Sequence, residues 1–218
     1  MFIELIDALR CPRTHEESWL VLAAAQIDAR HVRDGTLGCP VCHAEYSIHD
    51  GIADFRLADA GTSGLVGTSS DAGTSVAEHV SADHLSAMLN LGDALGFAVL
   101  TGGWARLADG LLELGNPPPL LLVDPPEGSL MAPGLSGLRA GAALPLAAGA
   151  ARATAVDTID ETRLASAANT TRATGRIVAP ARARIPAGVR ELVRDDTLWV
   201  GEREAPPAPL VRLHVRRG

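Results

Sequence analysis

The sequence predicts a small α+β unit followed by a larger α/β domain whose sheet is mostly parallel. All three cysteines and the single tyrosine lie within residues 1–57. Residues 58–77 are rich in Gly, Ser and Thr, which is typical of a flexible linker. From residue 78 onward, short apolar runs alternate with helical patterns, as they do where helices cover both faces of a parallel sheet. We therefore predict domains at 1–57 and 78–218, joined by a linker at 58–77.

The first unit is predicted to contain one helix and short antiparallel strands. Apolar residues from Phe2 to Leu9 recur at helical spacing, and Pro12 ends the predicted helix. The dipeptide Asp50-Gly51 favours a tight hairpin turn between two strands. The strands of this unit are expected at 19–25, 37–39, 45–48 and 52–55.

The second domain is predicted to alternate strands with helices. The run 120–123 is apolar throughout, which is typical of a strand buried on both faces of a sheet. Helices between such strands predict a parallel sheet, and the last two strands predict an antiparallel finish. Strands are expected at 97–100, 120–123, 153–156, 176–179, 198–200 and 211–215, and helices at 105–114 and 161–174.

Composition limits the classes of function. Hydrophobic residues make up 47% and charged residues 21% of the chain, so a packed core is expected. The 26 acidic residues outnumber the 19 basic ones, which gives a formal net charge of -7. Because phosphate binding needs clustered cations and base stacking needs aromatic rings, we do not expect autonomous binding of nucleic acid.

The chain also lacks the patterns of membrane and secreted proteins. Its apolar stretches are shorter than the roughly 20 residues that span a bilayer. Glu4 and Asp7 lie where a secretory signal would carry cations. An odd number of cysteines does not make a disulfide framework, so we expect a cytoplasmic protein without a membrane segment.

The cysteines predict a metal site. Cys39 and Cys42 form a CxxC turn, which points two thiolates at one tetrahedral ion, while Cys11 lies upstream in the other half-site. A ribbon would place its next ligand near Thr14, and His15 is the candidate that replaces it. We therefore predict a structural zinc ion held by Cys11, His15, Cys39 and Cys42.

Two alternatives remain open for the cysteines. They could be buried thiols without a metal, or Cys39 and Cys42 could form a redox-active disulfide. A catalytic zinc ion is not expected, because no helical HExxH motif is present.

The first unit resembles the Trm-activator family, whose members are small zinc ribbons that bind and stabilise RNA- and protein-modifying methyltransferases. The residues that carry the resemblance are Leu9-Arg10-Cys11-Pro12, Gly38-Cys39-Pro40-Val41-Cys42 and Tyr46-Ser47-Ile48-His49-Asp50-Gly51-Ile52. The family pattern has CPxC at the first half-site, where this chain has Cys11-Pro12-Arg13-Thr14. The resemblance implies a zinc-ribbon fold and a methyltransferase as the partner of the ribbon.

The second domain resembles Rossmann-type methyltransferases that use S-adenosylmethionine. The resemblance is carried by the strand order and by Thr101-Gly102-Gly103-Trp104, Asp124, Leu144-Pro145-Leu146 and Thr174-Gly175-Arg176-Ile177-Val178. It implies that Gly102 and Gly103 form the cofactor loop and that Asp124 holds the cofactor ribose. The family loop is an acid followed by Gly-x-Gly-x-Gly. Here Val99 or Leu100 occupies the acid position, and Trp104 follows the glycine pair.

These resemblances predict a methyltransferase-like chain without catalytic activity, which acts as a scaffold or as the partner of a methyltransferase. No catalytic residue stands out: Asp157 is expected to cap the next helix, and His79 and His84 have no nucleophile beside them in the pattern. In the activator family the ribbon extends the sheet of its partner, and fusion would make that contact intramolecular. Two alternatives are an active methyltransferase with an atypical loop and a structural zinc-ribbon protein whose second domain forms a homodimer.

Overall fold

The strands of both halves of the chain form one continuous mixed sheet in this computed structural model, which describes residues 1–56, 76–92, 95–129 and 131–205. The strands are β1 (Val21–Asp28), β2 (His31–Gly38), β3 (Glu45–His49), β4 (Ile52–Asp54), β5 (Ala98–Thr101), β6 (Leu120–Val123), β7 (Leu135–Arg139), β8 (Ala153–Ala155), β9 (Arg176–Pro180), β10 (Val189–Arg194) and β11 (Leu198–Arg203). The α-helices are α1 (Ala82–Leu89), α2 (Ala108–Leu112) and α3 (Glu161–Thr170), and 3₁₀ helices span Ile3–Ala8, Val76–His79 and Gly102–Leu107.

The centre of the sheet is parallel and its two ends are antiparallel. The strand order is β1-β2-β3-β4-β7-β6-β5-β8-β9-β11-β10. Every neighbouring pair from β4 to β9 in this order is parallel. After β7 the chain returns to the other side of β5, so the winding reverses between β5 and β8. This reversal is the topological switch point of a doubly wound sheet.

Strand β4 joins the cysteine-containing unit to the larger domain. It pairs in parallel with β7, and Ile52 lies opposite Gly137. A Cβ atom at Gly137 would lie 2.8 Å from Cγ1 of Ile52, so a larger residue at this position would crowd the Ile52 side chain. Beside this pair, the Ser136 hydroxyl accepts a hydrogen bond of 2.8 Å from the Phe2 N–H.

Helices cover both faces of the sheet, as the sequence predicts for the second domain. One face packs against α1 and α2, with Leu85, Leu89 and Leu111 in the core. The other face packs against α3 and the 3₁₀ helix Ile3–Ala8. The core on that face is continuous across the two halves of the chain, from Tyr46 to Leu164.

The predicted hairpin at Asp50-Gly51 is confirmed. Asp50 and Gly51 have φ values of 49° and 78°, as a tight two-residue turn requires. The turn connects β3 to β4 with His49 opposite Ile52. The first predicted helix is present as a 3₁₀ helix, which ends at Ala8, before Pro12.

Other elements differ from the prediction in their bounds or were missed. The strand expected at 19–25 starts at Val21 and continues to Asp28, and the helix expected at 161–174 ends at Thr170. Strands β7 and β10 were not predicted, because neither shows an apolar run or a regular alternation. The strand expected at 211–215 and residues 57–75 of the linker region lie outside the described residues. None of the helices in the described ranges has the length and apolar character to cross a bilayer.

Candidate metal centre and carboxyl edge of the sheet

The structure brings the four predicted metal ligands together. Cys39 and Cys42 lie in the turn between β2 and β3, while Cys11 and His15 follow the first 3₁₀ helix. One potential ligand atom from each residue lies within 4.8 Å of the others. His43, which follows Cys42 in the sequence, is not part of this group.

The distances fit tetrahedral coordination. Ideal zinc bond lengths place two sulfur ligands about 3.8 Å apart and a sulfur and a nitrogen ligand about 3.6 Å apart. The Sγ atoms of Cys11 and Cys42 are 3.7 Å apart, and Cys39 Sγ is 3.5 Å from His15 Nε2. All three cysteines are free, and the sulfur separation is far longer than the roughly 2.05 Å of a disulfide bond. The donor set and its geometry therefore fit zinc.

His15 is oriented by a contact on its other ring nitrogen. Its Nδ1 lies 2.5 Å from the carbonyl oxygen of Glu16, to which Nδ1–H donates, and its Nε2 lies 3.2 Å from Cys11 Sγ. A hydrogen bond of this kind fixes the tautomer and directs the free nitrogen toward a metal. His15 thus occupies the place that the second cysteine has in a CPxC half-site.

Backbone amides stabilise the thiolate of Cys39. Burial by itself disfavours the charged form, but hydrogen bonds from the backbone of Cys42 and Val41 outweigh it and lower the pKa of Cys39 to about 6. At Cys11 burial dominates and raises the pKa of the thiol. A divalent cation would favour the thiolate of Cys11 as well.

The carboxyl edge of the sheet holds the three residues predicted to bind a cofactor. Gly102 and Gly103 follow β5 and Asp124 follows β6. Ligands of doubly wound folds bind outside this edge at the switch point, where the carboxyl ends of β5 and β8 lie side by side. Side chains of the chain itself already make hydrogen bonds at this position.

Asp157 bridges the switch point. Its Oδ2 accepts a hydrogen bond of 2.9 Å from the Gly103 N–H, and its own N–H donates to Thr101 Oγ1 at 3.0 Å. Gly102 has a φ of 57°, and a Cβ atom there would lie 3.1 Å from Cβ of Asp157. The backbone donor that a nucleotide would approach is thus bonded to the protein itself.

Asp124 is also engaged by the protein. Its Oδ1 accepts a hydrogen bond of 3.0 Å from the Ala140 N–H, and its Oδ2 pairs with the Arg163 guanidinium at 3.1 Å. The same guanidinium nitrogen donates to the Gly141 carbonyl at 2.6 Å. Both carboxylate oxygens therefore have protein partners, and a ribose would have to share this carboxylate with them.

Trp104 does not fill the carboxyl edge of the sheet, and neither of the two described cavities lies there. Trp104 is fully buried in the core beneath α1 and α2. One cavity lies at the amino ends of β5 and β6, beside Phe2 and Phe97, and another lies beside α1. Both lie away from Gly102 and Asp124.

Sequence reasoning missed two residues of this edge. Asp157 was expected to cap the following helix, but Asp160 has that role, since its Oδ1 accepts from the Arg163 N–H at 2.7 Å. Arg163 was not singled out at all. The signal for Asp157 was its position after a buried strand, while the Arg163–Asp124 pair joins residues too distant in sequence for a motif to reveal.

Comparisons with known proteins give structural likenesses only. No family model matches the chain, and no curated protein matches it. The antibiotic-resistance methyltransferase Kmr is similar with a TM-score of 0.42 and 17% identity, over 58% of this chain and 94% of that one. An S-adenosyl-L-methionine methyl transferase from Silicibacter pomeroyi DSS-3 is similar with a TM-score of 0.39 and 14% identity, over 59% of this chain and 92% of that one.

Proposed function

We propose that the chain is a non-catalytic methyltransferase-like scaffold that carries its own zinc-binding ribbon as an extension of its sheet. The observation that carries this proposal is the hydrogen bond from Gly103 N–H to Asp157 across the switch point. A cofactor that bound there would have to displace an internal carboxylate. Cofactor binding would therefore cost the chain this internal hydrogen bond.

The contacts of Asp124 support the same conclusion. Ribose hydroxyl groups would have to share the Asp124 carboxylate with Ala140 and Arg163, which already bond its two oxygens. The side chains of Asp124 and Arg163 are only 30% and 15% exposed, so water does not readily replace either partner. Breaking such a pair leaves a poorly solvated charge.

The ribbon half supports a structural role. Its β4 pairs with β7, and its buried residues belong to the same core as those of the larger domain. A covalent connection gives such a contact an effective concentration on the order of millimolar. The β-augmentation that the activator family makes with a separate enzyme is, on this proposal, made within one chain.

The zinc ion would hold the two loops of the ribbon in place. Cys11, His15, Cys39 and Cys42 would be its ligands. Structural zinc supplies folding free energy on the order of 10 kcal/mol in small domains. With four protein ligands the ion has no open position for substrate.

We place a protein partner at the free edge of the sheet. Because β4 is paired within the chain, β1 is the ribbon strand that remains at an edge of the sheet formed by the described residues. Val21 and Ile27 in this strand are exposed, and an exposed apolar edge strand can accept a strand from another chain. A methyltransferase or a second copy of this chain could bind there.

Calorimetric titration with S-adenosylmethionine tests the proposal. We expect no saturable heat up to millimolar ligand, because the groups that would receive the nucleotide are already bonded to other residues of the chain. The Asp124→Ala variant should behave like the wild-type chain in this titration, with an active methyltransferase as the positive control.

A dissociation constant in the micromolar range would overturn the non-catalytic assignment. If Asp124→Ala then abolished both the binding and the methylation of a cell extract, the chain would be an active methyltransferase with an atypical loop. The zinc site and the shared sheet would be unaffected by that outcome.

A further inference from the structure

We propose that Tyr46 completes the metal centre by donating its phenolic hydrogen to the metal-bound sulfur of Cys11. Tyr46 would be a positioning residue, since it contacts a ligand and not the ion. The inference rests on the metal site and is independent of whether the larger domain binds a cofactor.

The geometry places the hydroxyl directly against the sulfur. The Tyr46 oxygen is 3.2 Å from Cys11 Sγ. Tyr46 is fully buried and Cys11 is 8% exposed, so water does not compete for this bond. Tyr46 lies in β3, with Leu37 of β2 opposite it in the sheet. The Phe55 ring packs against the Tyr46 ring, with the ring centroids 4.7 Å apart.

The direction of the hydrogen bond follows from the chemistry of the two groups. A metal-bound cysteine is a thiolate and has no proton to donate. A tyrosine phenol keeps its hydrogen at neutral pH, since its ordinary pKa is about 10. The hydroxyl is therefore the donor and the sulfur the acceptor.

The charge of the centre explains why such a donor is needed. Three thiolates and one divalent cation leave a net charge of about -1 in a largely buried site, and a buried charge is costly unless hydrogen bonds stabilise it. Cys39 receives hydrogen bonds from the backbone of Val41 and Cys42, two and three residues further along the chain. This is the regular arrangement of a CxxC turn.

The first half-site departs from that arrangement, and Tyr46 compensates for the departure. At Cys11 the next ligand is His15, four residues on, so the turn is wider than at Cys39. Cys11 receives a backbone hydrogen bond from Arg13, at the position equivalent to Val41. The Tyr46 hydroxyl then supplies a second hydrogen bond, in the role that the Cys42 backbone has for Cys39.

The test compares metal binding by the wild-type chain and the Tyr46→Phe variant. Phenylalanine retains the ring and its contact with Phe55 but removes the donor. Cobalt(II) is the spectroscopic probe, and zinc affinity is measured by competition with a chelator. We expect about tenfold weaker zinc binding, typical for loss of an outer partner of a metal ligand, and a shift of the thiolate-to-cobalt charge-transfer band to lower energy.

A Thr154→Val variant is the matched control. Thr154 is fully buried in β8, and its hydroxyl bonds that of Thr171 at 2.8 Å, in the other half of the sheet. This substitution also removes a buried hydroxyl but should leave the cobalt spectrum and zinc affinity unchanged.

The outcomes separate this inference from the metal site itself. Unchanged affinity and spectrum in Tyr46→Phe would overturn the role of Tyr46 and leave the four ligands standing. A wild-type chain that takes up no cobalt would overturn both. Weaker binding in Thr154→Val to the same extent would assign the effect to general destabilisation and would also overturn the inference.

Discussion

Asp124 and Asp157 lie at strand ends, where an acidic residue can either bind a cofactor or form hydrogen bonds within the protein. A carboxylate after a buried parallel strand has the same sequence signature in either case. Its role depends on partners such as Arg163, which lies 39 residues beyond Asp124. The metal ligands were easier to predict, because CxxC spacing is local and brings its two thiols together in one turn.

The pair formed by Asp124 and Arg163 should contribute measurably to stability. We expect Asp124→Asn to lower the free energy of unfolding by about 1–2 kcal/mol, because it weakens a charge-assisted hydrogen bond and leaves the guanidinium poorly compensated. Denaturant titration of the purified protein measures this change. A double-mutant cycle with Arg163→Met should reveal coupling between the two positions.

A surface pair provides the control for this experiment. Arg190 and Glu202 are 2.9 Å apart, but the arginine side chain is 61% exposed. Glu202→Gln should therefore change stability by no more than about 0.5 kcal/mol. Equal effects at Asp124 and Glu202, or no coupling between Asp124 and Arg163, would contradict the internal role that we assign to Asp124.

At the scale of elements, the sequence predicted the apolar strands and the tight turn but not β7. Residues 120–123 are apolar throughout, and Asp50-Gly51 specifies its turn locally. Strand β7 contains Ser136 and Gly137. These residues fit their neighbours in the sheet, but they interrupt the apolar pattern by which a strand is predicted from sequence. Because β7 was missed, the position of β4 beside it could not be predicted either.

The close approach of β4 and β7 makes Gly137 sensitive to substitution. A Cβ atom there would lie 2.8 Å from Ile52 Cγ1 and 3.2 Å from Met131 Sδ. We expect Gly137→Ala to lower the free energy of unfolding by about 1–3 kcal/mol through overpacking. Adding Ile52→Ala should recover part of that loss, because it removes the atom in closest contact.

Gly92→Ala is the matched control, since no atom lies within 4 Å of the position that its Cβ would take. Denaturant titration of the wild-type chain and these three variants gives the comparison. A neutral Gly137→Ala, or a loss that Ile52→Ala only enlarges, would show that β4 does not contact β7 as described.

At the scale of the whole molecule, the cysteine-containing unit and the larger domain share one sheet and one of its two cores. The sequence divides into stretches of different composition, and from that division alone their packing could not be inferred. Pairing between β4 and β7 joins these two stretches of the chain in one sheet. The non-catalytic role that we propose requires the carboxyl edge of this sheet to be filled by side chains of the chain itself.

Amide chemical shifts of the ¹⁵N-labelled protein test this claim most directly. The Gly103 N–H is the group bonded to Asp157, and Gly102 precedes it in the same loop. We predict that the resonances of both glycines remain unchanged when S-adenosylmethionine is added to millimolar concentration. Saturable shifts at these two amides, with those of residues far from the edge unaffected, would contradict the account.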